Sequence, residues 1–153
     1  MNADRRKTLQ ELENQDWGQP TYDSYLVSTV HSLRRKPLEE LTTEDLRIMI
    51  GQNIELDYLM PLAVEKLRDN PLAEGDYYPG DLLKAVLGVE PLFWEVRPDL
   101  REAVEKVLDK AVKLINDSTE EDYQATKEAL EEGTKIFETS RRGTESHIEK
   151  KNV

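Results

Sequence analysis

The sequence predicts an all-α fold: a single compact domain of about seven or eight helices, with the two longest helices at its C-terminal end. Apolar residues recur at spacings of three and four along most of the chain. No segment alternates apolar and polar residues over the length of a strand, and β-branched residues are not clustered. We expect residues 1–140 to form this domain and residues 141–153, which lack apolar periodicity, to form a flexible tail.

The N-terminal region predicts two short helices. The first extends to about Leu12, with Asp4 as a possible cap. Trp17 follows in a loop and is expected to anchor that loop against the core. The second helix spans residues 23–35, and the basic triplet 34–36 at its C-terminus complements the helix dipole. Its predicted buried face consists of Tyr25, Leu26, Val30 and Leu33.

Local signals also define the middle of the chain. Pro37 ends the second helix, and Thr42 is placed to cap a third helix whose first turn carries Glu44 and Asp45. Residues 55–68 predict a helix that is kinked or irregular near Pro61. A loop at 70–79 follows, then a short apolar helix that stops at Gly88, and then a buried turn containing Leu92, Phe93 and Trp94.

The C-terminal region predicts the two longest helices. Residues 98–116 carry apolar residues at spacings of three and four over about five turns. Residues 119–139 form the second helix, in which Ser118 and Glu121 have the spacing of a capping box. Its apolar face is thinner, so we expect it on the outside of the domain.

Charge restricts the class of partner. The net charge of the chain is −11. The two ends, residues 1–7 and 140–153, each carry a net charge of +2, so residues 8–139 alone carry a net charge of −15. An acidic body disfavours nucleic acid and anionic membrane surfaces, because phosphates require cations opposite them. A basic protein partner fits better, since complementary fields accelerate association. Solubility alone is the alternative explanation of the charge.

The sequence predicts no enzyme, no cofactor and no metal site. The chain has no cysteine and only two histidines, His31 and His147. Neither histidine falls in a metal-ligand motif or a recognised pairing with a carboxylate. No apolar run approaches the roughly 20 residues that span a bilayer, and the first residues lack the apolar stretch of a signal peptide. We therefore expect a soluble cytoplasmic protein.

Two acidic segments are candidate partner-binding surfaces. Acid combined with exposed tyrosine suits a contact surface, because tyrosines are enriched among binding hot spots. The structural alternatives are a tight loop in which Asp76 or Asp81 caps a helix, and a solvated helix face. The first segment, residues 69–81, contains Asp69, Glu74, Asp76, Tyr77, Tyr78 and Asp81 and no basic residue. The second, residues 114–140, contains Asp117, Glu120, Glu121, Asp122, Glu128, Glu131 and Glu132.

The central part of the chain also resembles a known family. The segments that carry the resemblance are LRRKPLEELTTEDLR at 33–47, IGQ at 50–52, YLMP at 58–61 and NPLAEGDYYPGDLL at 70–83. They resemble a helical family of immunity proteins from bacterial contact-dependent growth inhibition systems. The resemblance covers about a third of the chain, and the most unusual part of it is the loop around Gly75.

The resemblance implies a function. Immunity proteins of this kind bind the toxic C-terminal domain of a surface effector in the cytoplasm and block it. Such toxins are often nucleases, some of them ribonucleases, so we expect a basic partner bound 1:1 through an acidic surface that covers the active site. The alternatives are an acidic helical adaptor for another basic protein, and an enzyme whose scattered acids hold a divalent metal.

Overall fold

A computed structural model of the protein describes residues 3–18, 24–118 and 123–151, with side chains as far as Ser140. This part of the chain contains eight α-helices and no β-strand, so the prediction of an all-α fold is confirmed. The two longest helices are the last two, as predicted. The helices are α1 (Leu9–Glu13), α2 (Tyr25–Leu33), α3 (Thr43–Gly51), α4 (Leu56–Asp69), α5 (Asp81–Leu87), α6 (Pro91–Val96), α7 (Pro98–Asp117) and α8 (Gln124–Lys151).

Helix α5 is the centre of the fold. It packs against α3, α4 and α8, and α7 closes the other side of α4. Most of the side chains of α5 are fully buried, including Leu82, Leu83, Val86 and Leu87. Burial of such side chains is the main source of stability, at about 1.5–3 kcal/mol each. The first residue of α5, Asp81, is buried as well, so the loop that precedes this helix ends in the core.

Helix α8 crosses α5 closely because it carries a glycine at the contact. A Cβ built on Gly133 would lie 3.1 Å from the Cβ and Cδ1 of Leu87. Further along α8, the ring of Phe137 packs edge-on against Trp94, with ring centroids 5.3 Å apart. The long outer helix is therefore fixed at two points, one on α5 and one on α6.

The N-terminal segment is held to the body by Arg34, which is 1% exposed. Its guanidinium forms an ion pair with Glu13, donates to the carbonyl oxygen of Gln15 over 3.1 Å, and lies 4.0 Å from the ring centroid of Trp17. The predicted role of the basic triplet at the helix dipole therefore needs correction. Arg34 makes tertiary contacts, and Lys36 donates to the carboxylate of Asp45 over 2.8 Å.

Three other local predictions differ from the structure. The first helix begins only at Leu9, where the Thr8 side chain caps it, because Asp4 instead binds Arg6. On α2, Tyr25 and Leu26 are exposed, because the described residues do not bury that part of the helix. Leu92 is exposed because only Phe93 and Trp94 of α6 face the core. Helix α4 begins at Leu56 and contains Pro61, as predicted, and a kink at this proline stays a prediction.

Helix α8 extends to Lys151, beyond the predicted end near Thr139. The division into a domain of residues 1–140 and a flexible tail of 141–153 stays a prediction. The proposed capping box of Ser118 and Glu121 involves residues 119–122, which lie outside the described part of the chain.

Candidate partner-binding surface

The loop at 70–80 connects α4 to α5 and is closed by its own backbone. Glu74 and Pro79 form an isolated antiparallel bridge, and the N–H of Gly80 donates to the carbonyl oxygen of Leu72 over 3.1 Å. Gly80 has φ of +91°, a left-handed conformation that favours glycine. Leu72 and Ala73 are buried and anchor the base of the loop. Between the bridge partners, Asp76 and Tyr77 are exposed, whereas Gly75 and Tyr78 are partly buried.

A buried carboxylate supports this loop from below. Asp81, the first residue of α5, is 3% exposed. Its side chain accepts from the backbone N–H of Gly75 over 2.7 Å and from that of Tyr77 over 3.1 Å. Hydrogen bonds to an ionised acceptor are among the stronger ones in proteins. Asp81 thus fixes the loop, as the structural alternative of a tight loop expected, but it does not cap a helix: Gly80 is the N-cap of α5 and makes no side-chain cap hydrogen bond.

Helix α3 supplies a second support. Glu44 accepts from the backbone N–H of Asp76 over 3.1 Å and binds Arg47 through both of its carboxylate oxygens, over 2.5 and 2.6 Å. The hydrogen bonds from Arg47 keep the pKa of Glu44 below its ordinary value, and those same bonds raise the pKa of Arg47. Arg47 also lies 4.0 Å from the carboxylate of Asp81. One guanidinium therefore balances two carboxylates under the loop.

Gly75 is required where the loop meets these carboxylates. A Cβ at this position would lie 2.5 Å from Oε1 of Glu44 and 3.2 and 3.3 Å from the carboxylate oxygens of Asp81. The distance of 2.5 Å to Glu44 is shorter than Cβ atoms in proteins show, and the two distances to Asp81 are tight. The absence of a side chain at Gly75 therefore allows the loop backbone to lie against the carboxylates of Glu44 and Asp81.

The two tyrosines of the loop have different environments. Tyr77 is 70% exposed, and the guanidinium of Arg47 lies 4.6 Å from its ring centroid. Tyr78 is partly buried, and burial together with the nearby carboxylates of Asp81 and Glu132 raises its pKa. Tyr77 is thus available to a partner, whereas Tyr78 is less accessible.

The structure brings part of the second acidic segment to the loop. The hydroxyl of Thr126 on α8 donates to the carbonyl oxygen of Pro79 over 2.7 Å. One helical turn and a half further on, Glu132 lies 3.5 Å from the ammonium of Lys84 on α5 and is close enough to influence Tyr78. We call this region the loop surface: the exposed residues Glu74, Asp76, Tyr77 and Glu132, together with the partly buried Tyr78.

The other predicted contact residues lie elsewhere. Asp69 and Asp117 are exposed at the C-terminal ends of α4 and α7. Glu131 lines an apolar groove of about 440 Å³ between α7 and α8, and Glu128 accepts from the side chain of Gln124 on the outside of α8. Glu120, Glu121 and Asp122 lie outside the described residues.

Sequence reasoning missed Glu44 and Arg47 as parts of this region. It assigned Glu44 only to the first turn of α3, where the helix dipole favours an acid. The one local signal was the spacing of the pair, since side chains three residues apart on a helix are neighbours. The hydrogen bond between Glu44 and the loop joins residues that are 32 positions apart in the sequence. Such a contact cannot be recognised from a local sequence pattern.

No metal or membrane feature was found in the described residues. They contain no group of three or more His, Cys, Asp or Glu side chains that could hold a metal ion. None of the helices in this part of the chain is both long enough and apolar enough to cross a membrane.

Comparison with known proteins gives the family. The family model of CDI immunity proteins, the immunity proteins of contact-dependent growth inhibition, matches residues 11–104, which is more than half of the chain. The chain therefore belongs to this family, and membership supports a role in immunity against a toxin. The family is generally non-catalytic. No curated protein and no solved structure matches the chain. The matched region includes the loop and both of its supports but ends before α8.

Proposed function

We propose that this protein neutralises its cognate toxin domain, a nuclease, by covering the basic active site with the loop surface. The observation that supports this most directly is the arrangement of Glu74 and Asp76, two exposed acids that flank Gly75 in a loop that is fixed from below. The nuclease is expected to be a ribonuclease in the simplest case, and the complex is expected to be 1:1 and cytoplasmic.

Electrostatics supports a nuclease as the target. An enzyme that cleaves RNA or DNA must hold a chain of phosphates, so its active cleft is lined with lysine and arginine. Carboxylates of an inhibitor can take the places of these phosphates. Glu74, Asp76 and Glu132 supply such carboxylates within one region, on a body that carries a net charge of −15 between residues 8 and 139.

Rigidity supports the loop as the contact region. Binding is weakened when flexible groups must be ordered in the complex, at about 0.5–1.5 kcal/mol for each immobilised side chain. Three successive backbone N–H groups of the loop, those of Gly75, Asp76 and Tyr77, already donate to buried or partly buried carboxylates. The loop therefore presents its acids in a fixed geometry before any partner arrives.

The first experiment is co-expression of the full chain with the toxin domain encoded next to its gene. We expect growth to be rescued and a 1:1 complex to co-purify. Asp76→Lys and Glu74→Lys should each weaken the complex at least about tenfold, equivalent to about 1.4 kcal/mol. Asp109→Lys is the matched control, because Asp109 is an exposed acid on α7 and the charge change is the same.

The outcomes separate the parts of the proposal. Absence of both rescue and complex would contradict the toxin assignment and favour the adaptor alternative. If Asp76→Lys and Glu74→Lys bind the toxin as tightly as Asp109→Lys does, the contact lies on another surface, such as the one that carries Asp117 and Glu131. Purified toxin assayed on RNA and on DNA would test its class.

A further inference from the structure

Tyr77 is an exposed aromatic side chain with an unusual support. The residue is 70% exposed, yet one face of its ring is covered by the guanidinium of Arg47, 4.6 Å from the ring centroid. A guanidinium that stacks on an aromatic face restricts the ring and attracts its electrons. The ring is thus held away from the core with its second face open.

The support under Tyr77 is itself fixed. Arg47 binds Glu44 through two short hydrogen bonds, and Asp81 accepts from the backbone N–H of Tyr77 over 3.1 Å. Planar, two-point binding of a guanidinium to a carboxylate fixes its orientation as well as its position. The rotamer of Tyr77 is therefore restrained both at its backbone and at its ring.

The charges around the ring favour a cation on the open face. The positive charge of Arg47 is offset by Glu44 and by Asp81, whose carboxylate is 4.0 Å from the guanidinium. Two exposed acids precede Tyr77 in the loop: Asp76 directly and Glu74 three residues before it. Residues 69–81 contain no basic residue. A positively charged group above Tyr77 would gain both the attraction of the ring and that of these acids.

From this geometry we infer that the open face of Tyr77 receives a cationic side chain of the toxin, with arginine preferred, and that Arg47 is the positioning residue for Tyr77. This inference rests on the proposed function and names the contact at its centre. Arginine is preferred because its planar guanidinium can stack on the ring and still bind a neighbouring carboxylate. Acids and aromatic ring together then recognise one residue of a basic cleft.

Substitutions at Tyr77 test the stacking contact. The probe is an inactive form of the toxin domain encoded next to this gene, titrated with the full-length immunity protein. Tyr77→Phe keeps the ring and should stay within about threefold of the original affinity, whereas Tyr77→Leu should lose about tenfold. Tyr25→Leu is the matched control, because Tyr25 is 84% exposed on α2 and should be silent.

A double-mutant cycle tests the role of Arg47. Arg47→Lys keeps the charge but removes the planar stacking and the two-point bond to Glu44. We expect it to weaken binding about threefold to tenfold when Tyr77 is present, and to have no further effect in the Tyr77→Ala background. An equal loss in both backgrounds would show that Arg47 acts only as general support, and would overturn the positioning role.

Other results identify which proposal fails. If the unaltered protein does not bind the toxin, the proposed function fails. If it binds and Tyr77→Leu binds equally well, the inference fails and the function stands. If Tyr77→Phe loses as much as Tyr77→Leu, the hydroxyl group and not the ring carries the contact, and stacking is excluded. Thermal melting of each variant confirms that the comparison concerns folded protein.

Discussion

Glu55 joins the N-terminal segment to α4 and has an unusual ionisation. It precedes the first residue of α4 in a left-handed conformation, with φ of +46°. Burial, followed by a hydrogen bond and repulsion from Glu13, raises the pKa of Glu55 to about 7, although Arg34 opposes the shift and Asp57 adds to it. The carboxyl group of Glu55 therefore keeps its proton to a higher pH than an ordinary glutamic acid does.

This arrangement predicts a pH dependence of stability. Glu55 binds its proton more tightly in the folded state than in the unfolded state, where the pKa is near its ordinary value of 4.5. Its stabilising contribution is therefore complete below about pH 4.5 and is lost as pH rises to about 7. We expect the free energy of unfolding in urea to fall between pH 5 and 7, and Glu55→Gln to remove that part of the fall.

The control is Glu138→Gln, which makes the same change on the exposed side of α8. It should leave the pH profile of the original protein unchanged. Identical profiles for Glu55→Gln and the original protein between pH 5 and 7 would contradict the raised pKa of Glu55.

A second prediction concerns the glycine beneath the loop. Gly75→Ala would place a methyl group 2.5 Å from Oε1 of Glu44, an atom that Arg47 holds in place. We expect a loss of about 1–3 kcal/mol in the free energy of unfolding, as in other overpacked sites, together with weaker toxin binding. Urea denaturation measures the first effect and titration with toxin the second.

Gly51→Ala provides the comparison. Gly51 ends α3, and a Cβ there would meet no atom within 4 Å. Alanine is favoured over glycine in helices by about 1 kcal/mol, so this variant should be neutral or slightly more stable. Equal behaviour of the two variants would indicate that the loop does not descend onto Glu44 and Asp81 as described.

At the scale of elements, α3 illustrates what sequence can predict. Thr42, Glu44 and Asp45 are local start signals, and the structure realises them as a capping box in which Thr42 and Asp45 bind each other's backbone N–H groups. The buried residues Leu46, Met49 and Ile50 also agree with the helical spacing. Such features depend on neighbours within one turn, so the sequence contains nearly all of the relevant information.

Helix α2 illustrates the limit of the same reasoning. Its apolar residues have helical spacing, but only Val30 and Leu33 are buried, whereas Tyr25 is 84% exposed. Periodicity predicts that a helix has an apolar face and does not show whether another element covers the whole of that face. Coverage depends on contacts between distant segments, and among the described residues of α2 these contacts bury Val30 and Leu33, in its C-terminal half.

The candidate surface shows the same division. Glu74, Asp76 and Tyr77 could be selected from the loop by residue type alone, and they are exposed. That Asp81 lies beneath them could not be predicted, because an acid at a helix start serves equally well in solvent. The contributions of Glu44 and Glu132 required the packing of α3 and α8 against α5, which no local pattern records.

At the scale of the whole molecule, charge is arranged so that it should guide association. The net charge of the chain is −11, and residues 8–139 alone carry a net charge of −15, because both ends are positively charged. A basic toxin approaching from a distance experiences this field before any contact forms. The range of the field shrinks from about 30 Å at 0.01 M salt to about 8 Å at physiological ionic strength.

We therefore predict that the association rate constant with the toxin falls at least about tenfold between 0.01 M and 0.15 M salt, whereas dissociation changes much less. Stopped-flow mixing over a series of salt concentrations measures this. If the field is focused at the loop surface, Glu74→Gln with Asp76→Asn should flatten the salt dependence more than Glu102→Gln with Asp109→Asn. Both pairs remove two negative charges from exposed positions, the second on α7. Equal flattening would mean that total charge, and not the loop, guides the encounter, and an association rate independent of salt would remove the electrostatic argument for a basic toxin.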